Sequence, residues 1–188
     1  VRIDNPVRDG ALALAQAMGR IGARELPQAD AQTILTGVWP AQGASRSLLR
    51  AMEEADLVSV ASDSGAPFLR FAFERLGDVL IAQANITGQD KATVCTRFLS
   101  GDLATLVATP DAVSENAGLI QAYSILLPEL HGIEIADLLR STTTNLEVTM
   151  LALGVLAWRD IASFTSTAWV LHHSRFVDLI AVLDRVLA

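Results

Sequence analysis

Any chemistry in this sequence would have to rest on few residues: His131, His172 and His173, the single cysteine Cys95, and the acidic cluster Glu53, Glu54 and Asp56. A metal site needs His, Cys or carboxylate groups clustered at ligand spacing. His172 and His173 are adjacent, so on a helix they point apart and do not share one ion. Nucleophilic catalysis needs a hydroxyl or thiol beside a base that a third group orients. Ser166, His172 and Asp178 could supply those types, but no G-x-S-x-G elbow accompanies them. Paired catalytic carboxylates need environments that separate their pKa values, whereas Glu53, Glu54 and Asp56 end an amphipathic segment and read as a solvated face. No G-x-x-x-x-G-K-[ST] loop and no G-x-G-x-x-G fingerprint occurs, and Gly19 and Gly22 only bracket a helix end. The chain is therefore expected to bind no cofactor or metal and to catalyse nothing by itself.

The elements that would position these residues are mostly helices. Asn5 and Pro6 form an N-cap and first-turn pair, and Val7, Ala11, Leu14, Met18 and Ile21 repeat at four- and three-residue spacing. A shorter helix follows Pro27, with Ala31, Ile34 and Leu35 inward, and breaks at Gly37, Val38, Trp39 and Pro40. Ser45 is expected to cap a third helix carrying Leu48, Leu49, Met52 and Ala55. A strand from Leu57 to Ala61, a turn at Ser62 to Gly65 and a returning strand from Phe68 to Phe71 form one hairpin. Three helices and then a hairpin is the order of a winged helix.

Beyond Ala72 the pattern is helical throughout. Helices are expected from Phe73 to Ile86, Lys91 to Leu99, Asp102 to Ala108, and from the Thr109-Pro110 cap to Leu126, just before Pro128. Further segments run from Ile133 to Arg140, Asn145 to Ala157 and Thr165 to Leu187. The fold class expected is mainly α: a winged-helix-like subdomain over 1–87, with its hairpin at 57–71, then an irregular helical subdomain over 88–188.

Composition limits partners. Of 188 residues, 51% are apolar but only 5% aromatic, and mean hydropathy is +0.38. The weight lies in Ala, Leu, Val and Ile, as in helices apolar on more than one face. The longest apolar run, Val148 to Trp158, is about half the ~20 residues a membrane span needs, so no membrane is expected. A net charge of −7 works against nucleic acid as a partner, because such binding rests on basic surface. One cysteine fits a reducing cytoplasm, and Val1 in place of Met suggests a piece of a longer chain.

The stretch 68–82, FLRFAFERLGDVLIA, is the most distinctive in the chain. It resembles the segment that follows the ATPase core in bacterial STAND-type, NACHT-like P-loop signalling ATPases, where an aromatic strand runs into a helix beginning Phe-x-Phe/Tyr-Glu/Gln-Arg-Phe/Leu-x-Asp. The matching positions are Phe71, Phe73, Glu74, Arg75, Leu76, Asp78, Leu80 and Ala82; where that family often has His after the Asp, this chain has Val79. Leu156 to Asp160 with Ser163, Phe164 and Thr165 is similar to a Trp-Arg element further along such proteins, here Trp158 and Arg159. The stretch 48–57 is similar to their approach to the hairpin.

The resemblance implies a non-catalytic regulatory region that relays nucleotide state between ATPase and sensor parts in bacterial signalling or defence. Its partners would be other domains of the parent protein and, in a homo-oligomer, further copies. On physical grounds Phe71, Phe73, Leu76 and Leu80 are expected to pin the hairpin to the helix, with Arg75 and Asp78 pairing weakly across one helical turn. The residue types leave two alternatives: a stand-alone helical protein-binding scaffold, or a winged-helix DNA-binding regulator with Arg46 and Arg50 on its third helix.

Overall fold

The computed structural model describes residues 5–40, 47–63 and 65–168. It is mainly helical with one small antiparallel sheet, and the chain divides into two compact units, Val1–Asn85 and Ile86–Ala188. The sequence expectation for the boundary lies two residues later, after Thr87.

In the first unit α1 (Pro6–Ile21) begins where Asn5 Oδ1 accepts the Arg8 amide at 3.0 Å, so a side chain satisfies one orphan donor of the first turn. Leu14, Ala15, Ala17 and Met18 make its buried face, but Ile21 is exposed because the last turn runs past the core. A strand that the alternation does not reveal, β1 (Glu25–Pro27), comes next, followed by α2 (Gln28–Val38). Helix α3 (Leu48–Glu54) is capped by Ser47, whose hydroxyl accepts the Arg50 amide at 3.2 Å; Ser45, expected in that role, lies outside the described residues. Strands β2 (Val58–Asp63) and β3 (Ala66–Phe71) form the expected hairpin, and α4 (Glu74–Ile86) leaves it.

The sheet order is β1-β3-β2. Leu26 lies opposite Leu69 and Leu69 opposite Val60, while Val58 faces Phe71. Leu26, Leu69, Val58 and Phe71 are all buried, so one face of the sheet closes over the helices with a period of two. Helix, strand, two helices and two strands, with the first strand on the free edge of the last, is the complete winged-helix topology. The expected hairpin is present, and β1 extends it to a three-stranded sheet. β1 escaped the pattern because it has one inward residue, Leu26, and ends in a proline that only a sheet edge tolerates.

The second unit is built from α5 (Lys91–Ser100), a 3-10 segment Asp102–Val107, α6 (Pro110–Glu115), α7 (Ala117–His131), α8 (Ile135–Leu138) and α9 (Asn145–Val155). Two 3-10 turns, Leu156–Trp158 and Ile161–Ser163, continue from α9. Where one helix was expected from Pro110 to Leu126, the chain makes two, breaking at Asn116, and the second runs through Pro128 to His131. Pro128 falls in the last turn of α7 and donates no bond to the carbonyl four residues back, and Gly132 at φ 63° closes the helix by donating to the Pro128 carbonyl at 3.1 Å.

The core of this unit centres on Phe98 and Tyr123, whose rings meet edge-on at 4.9 Å, with Ile120, Leu127, Ile135, Leu139 and Val148 around them. Thr144 is fully buried, and its hydroxyl donates 2.6 Å to the Val107 carbonyl, tying the start of α9 to the 3-10 segment. Among the described residues no helix is long and apolar enough to cross a membrane. Of the final helix expected over 165–187, only its opening at 166–168 falls within the described residues.

Candidate functional site

The distinctive stretch 68–82 is the junction of β3 and α4. Phe71, the last residue of β3, turns inward and is 6% exposed. Its ring lies against Gly77, one turn into α4: a methyl group on Gly77 would sit 3.1 Å from both Cβ and Cδ2 of Phe71. The glycine therefore lets helix backbone and aromatic ring approach to contact. Gly77 was not singled out from sequence, because a lone glycine in a helical pattern carries no signal of what it faces.

Phe73 does not join this packing. It is 62% exposed, so the expectation that it pins hairpin to helix is corrected. The residue sits in the bend between β3 and α4, outside both elements. Leu76 and Leu80 are half-buried, and Glu74 and Arg75 are exposed.

Asp78 departs furthest from expectation. Its carboxylate does not solvate a helix face; it is buried, and Oδ1 accepts the Nε–H of Arg24 at 2.9 Å. Arg24 stands just before β1, so the ion pair fastens the lead-in of the first strand to α4, 54 residues along the chain. The Arg75 charge expected beside Asp78 from spacing also acts on this carboxylate and lowers its pKa, but the hydrogen-bonded partner is Arg24. Burial pushes the Asp78 carboxyl above the usual carboxylate range, and the negative charge of Glu74 adds to this, while Arg24 opposes it.

A cleft of about 440 Å³ opens over this junction, with Phe71, Gly77, Asp78 and Ile81 among its buried lining residues. Arg24, Glu25, Arg70 and Glu74 bring both charge signs to its lining, and Glu25 and Arg70 are cross-strand neighbours.

A pH dependence follows from the Asp78 shift. A carboxyl whose folded pKa is raised contributes stability below its unfolded value of about 3.9 and loses it as pH rises through the folded value. Asp78→Asn removes that loss, so its urea midpoint relative to wild type is expected to rise between pH 4 and pH 7. Arg24→Ala should do the opposite. Leaving the carboxylate buried without its cation is expected to cost about 1–3 kcal/mol at pH 7, discounted because Arg24 is partly exposed, and far less at pH 4. Midpoints that shift in parallel at both pH values would contradict the assignment.

The Trp-Arg element divides in the same manner. Trp158 is 63% exposed. Arg159 is buried, and its guanidinium donates to Glu134 twice, from Nη1 to Oε2 at 3.0 Å and from Nη2 to Oε1 at 2.9 Å. Nη2 also donates to the Ser163 carbonyl at 2.9 Å, the Thr165 hydroxyl donates to Glu134 Oε1 at 2.6 Å, and the Phe164 ring centroid lies 5.2 Å from the guanidinium carbon. The two side chains are 1% and 2% exposed. This clasp fastens the chain after α9 to the turn between α7 and α8. The partner, Glu134, gave no sequence signal: it stands 25 residues before Arg159 in a short apolar segment.

Among the described residues the remaining candidates do not converge. On α3 Glu54 pairs with Arg50 at 2.8 Å, both exposed, which occupies the arginine a groove-facing helix would need. Asp56 closes α3 with a left-handed φ of 53°. Cys95 is half-buried, and His131 ends α7. His172, His173 and Asp178 lie outside the described residues, as does Arg46. Comparison with protein families, curated proteins and solved structures finds no match to this chain.

Proposed function

We propose that this chain is a regulatory and interaction module of a larger bacterial STAND-like signalling or defence ATPase, working in the cytoplasm and relaying nucleotide state between ATPase and sensor regions. One observation supports the reading above the rest. The motif stretch 68–82 coincides with a built junction, in which β3 packs on α4 through Phe71 and Gly77 and the Arg24–Asp78 pair fixes α4 to the entry of β1. A relay needs a rigid connection between its input and output elements and a small gap between two arrangements of them. The junction supplies the rigid connection inside the winged-helix unit, and the mixed-charge cleft beside it is a surface for a neighbouring domain.

In the parent protein, Arg24→Ala is expected to raise basal ATP hydrolysis or nucleotide exchange several-fold while nucleotide still binds. Unchanged turnover in a fully loaded, folded variant would contradict the relay. The DNA-binding reading rests on the winged-helix order alone. An acidic chain whose third helix neutralises Arg50 internally is expected to show no salt-dependent binding of duplex DNA.

A further inference from the structure

Asp78 is a nearly buried carboxylate that is only half engaged. Its side chain is 5% exposed, and Oδ1 accepts the Nε–H of Arg24 at 2.9 Å. Among the described residues Oδ2 accepts no hydrogen bond, yet it is not sealed in the interior. The residue lines the cleft over the β3–α4 junction, which leaves this oxygen a space to face. Buried polar atoms are ordinarily satisfied, because an unmet acceptor costs its full desolvation. Arg24 does not offset that cost alone: burial outweighs it, and the carboxyl stays above the usual carboxylate range.

The rest of the lining decides which group completes this acceptor. Arg70 stands opposite Glu25 across the paired strands β3 and β1, so those two charges offset each other. Arg24 is held by Asp78. The lining charge left over is Glu74, one helical turn before Asp78 on α4, where like charges repel. An anionic ligand would meet both carboxylates, whereas a cation is stabilised by each of them. The apolar part of the lining, Phe71, Gly77 and Ile81, is buried, and at about 440 Å³ the cleft has the size of a small-ligand site. An aliphatic stem can lie along Phe71 and Ile81 while its charged head donates to Oδ2.

We propose that this cleft binds a guanidinium or primary ammonium group on an aliphatic stem, with Asp78 as the buried acceptor and Glu74 as the second acidic contact. Such a group has two sources, a free organic cation or an arginine or lysine side chain of a neighbouring domain. The second source rests on the reading of this cleft as a contact for that domain. The site itself does not, since all its residues belong to the first unit.

The test titrates the full isotope-labelled chain at pH 7 with n-butylguanidinium, n-butylammonium and butyrate, which share a stem and differ in the head. A fourth titrant is the peptide acetyl-Leu-Arg-Leu-amide. Saturable NMR shifts at the Ala72, Gly77 and Asp78 amides are expected with both cations, with a Kd in the millimolar range or below, and none with butyrate. Asp78→Asn keeps the shape and removes the charge, and should weaken both cations at least tenfold. Glu74→Gln, at an exposed position, should weaken them about threefold, and Glu129→Gln, on α7, should leave them unchanged. The spectrum of each variant reports whether it is folded. A peptide that binds at least tenfold more tightly than butylguanidinium assigns the group to a protein segment, and any smaller difference assigns it to a free cation. No saturable shift with either cation, butyrate binding as tight as theirs, or cation binding that survives Asp78→Asn would overturn the proposal. None of these outcomes bears on the ATPase reading, which the turnover of the Arg24→Ala parent protein decides.

Discussion

Glu134→Ala is expected to destabilise the helical unit by about 3–5 kcal/mol, the range for stranding one member of a buried ion pair. The size follows from burial: Arg159 is 1% and Glu134 2% exposed, so the lone guanidinium has no water to replace the carboxylate. Arg159→Ala should cost as much, because it leaves the carboxylate with the Thr165 hydroxyl alone. The pair itself is another matter. Two charges were taken out of water to form it, and Arg159 Nε has no hydrogen-bond partner. Replacing both residues by leucine is therefore expected to recover most of the loss and to approach wild-type stability. Urea denaturation of the two single variants and the double variant decides this. Single variants within 1 kcal/mol of wild type would show that the clasp is solvated in solution.

The second large effect belongs to the β3–α4 junction. Phe71→Ala removes a buried ring and should cost about 3–5 kcal/mol. Gly77→Leu drives a side chain into the same space and should cost about 1–3 kcal/mol by overpacking. Because the two side chains compete for one volume, the double variant is expected to be less destabilised than the sum of the singles, by more than the error of additivity. Simple additivity in equilibrium unfolding would mean that ring and helix are not in contact. Gly77→Ala sets about 1 kcal/mol of helix propensity against contacts of 3.1 Å to the Phe71 Cβ and Cδ2, and its urea midpoint reads which of the two wins.

Local signals made much of this legible. Asn5 with Pro6, and Thr109 with Pro110, stand at the N-termini where caps were expected, and the 57–71 hairpin and the Phe73–Ile86 helix are found within a residue or two. Each depends on groups close in sequence. The failures depend on groups that are not. β1 exists because β3 offers it an edge. α7 runs through Pro128 to its Gly132 cap, and the buried Asp78 is paired by Arg24 from 54 residues away. The site residues divide along the same line. Phe71 and Arg159 are structural anchors whose contacts, Gly77 and Glu134, spacing alone could not name. Phe73 and Trp158, the more conspicuous aromatics, are more than half exposed. A resemblance carried by residue types ranks such positions together; packing separates them.

The most direct measurement of the central proposal is the sequence of the gene on both sides of the region encoding this chain. A G-x-x-x-x-G-K-[ST] loop is expected upstream, followed by a strand ending in acidic residues, in one reading frame with Val1. An initiator codon within a few residues of Val1, with a stop codon directly after Ala188, would contradict it and leave a small helical interaction module in its place.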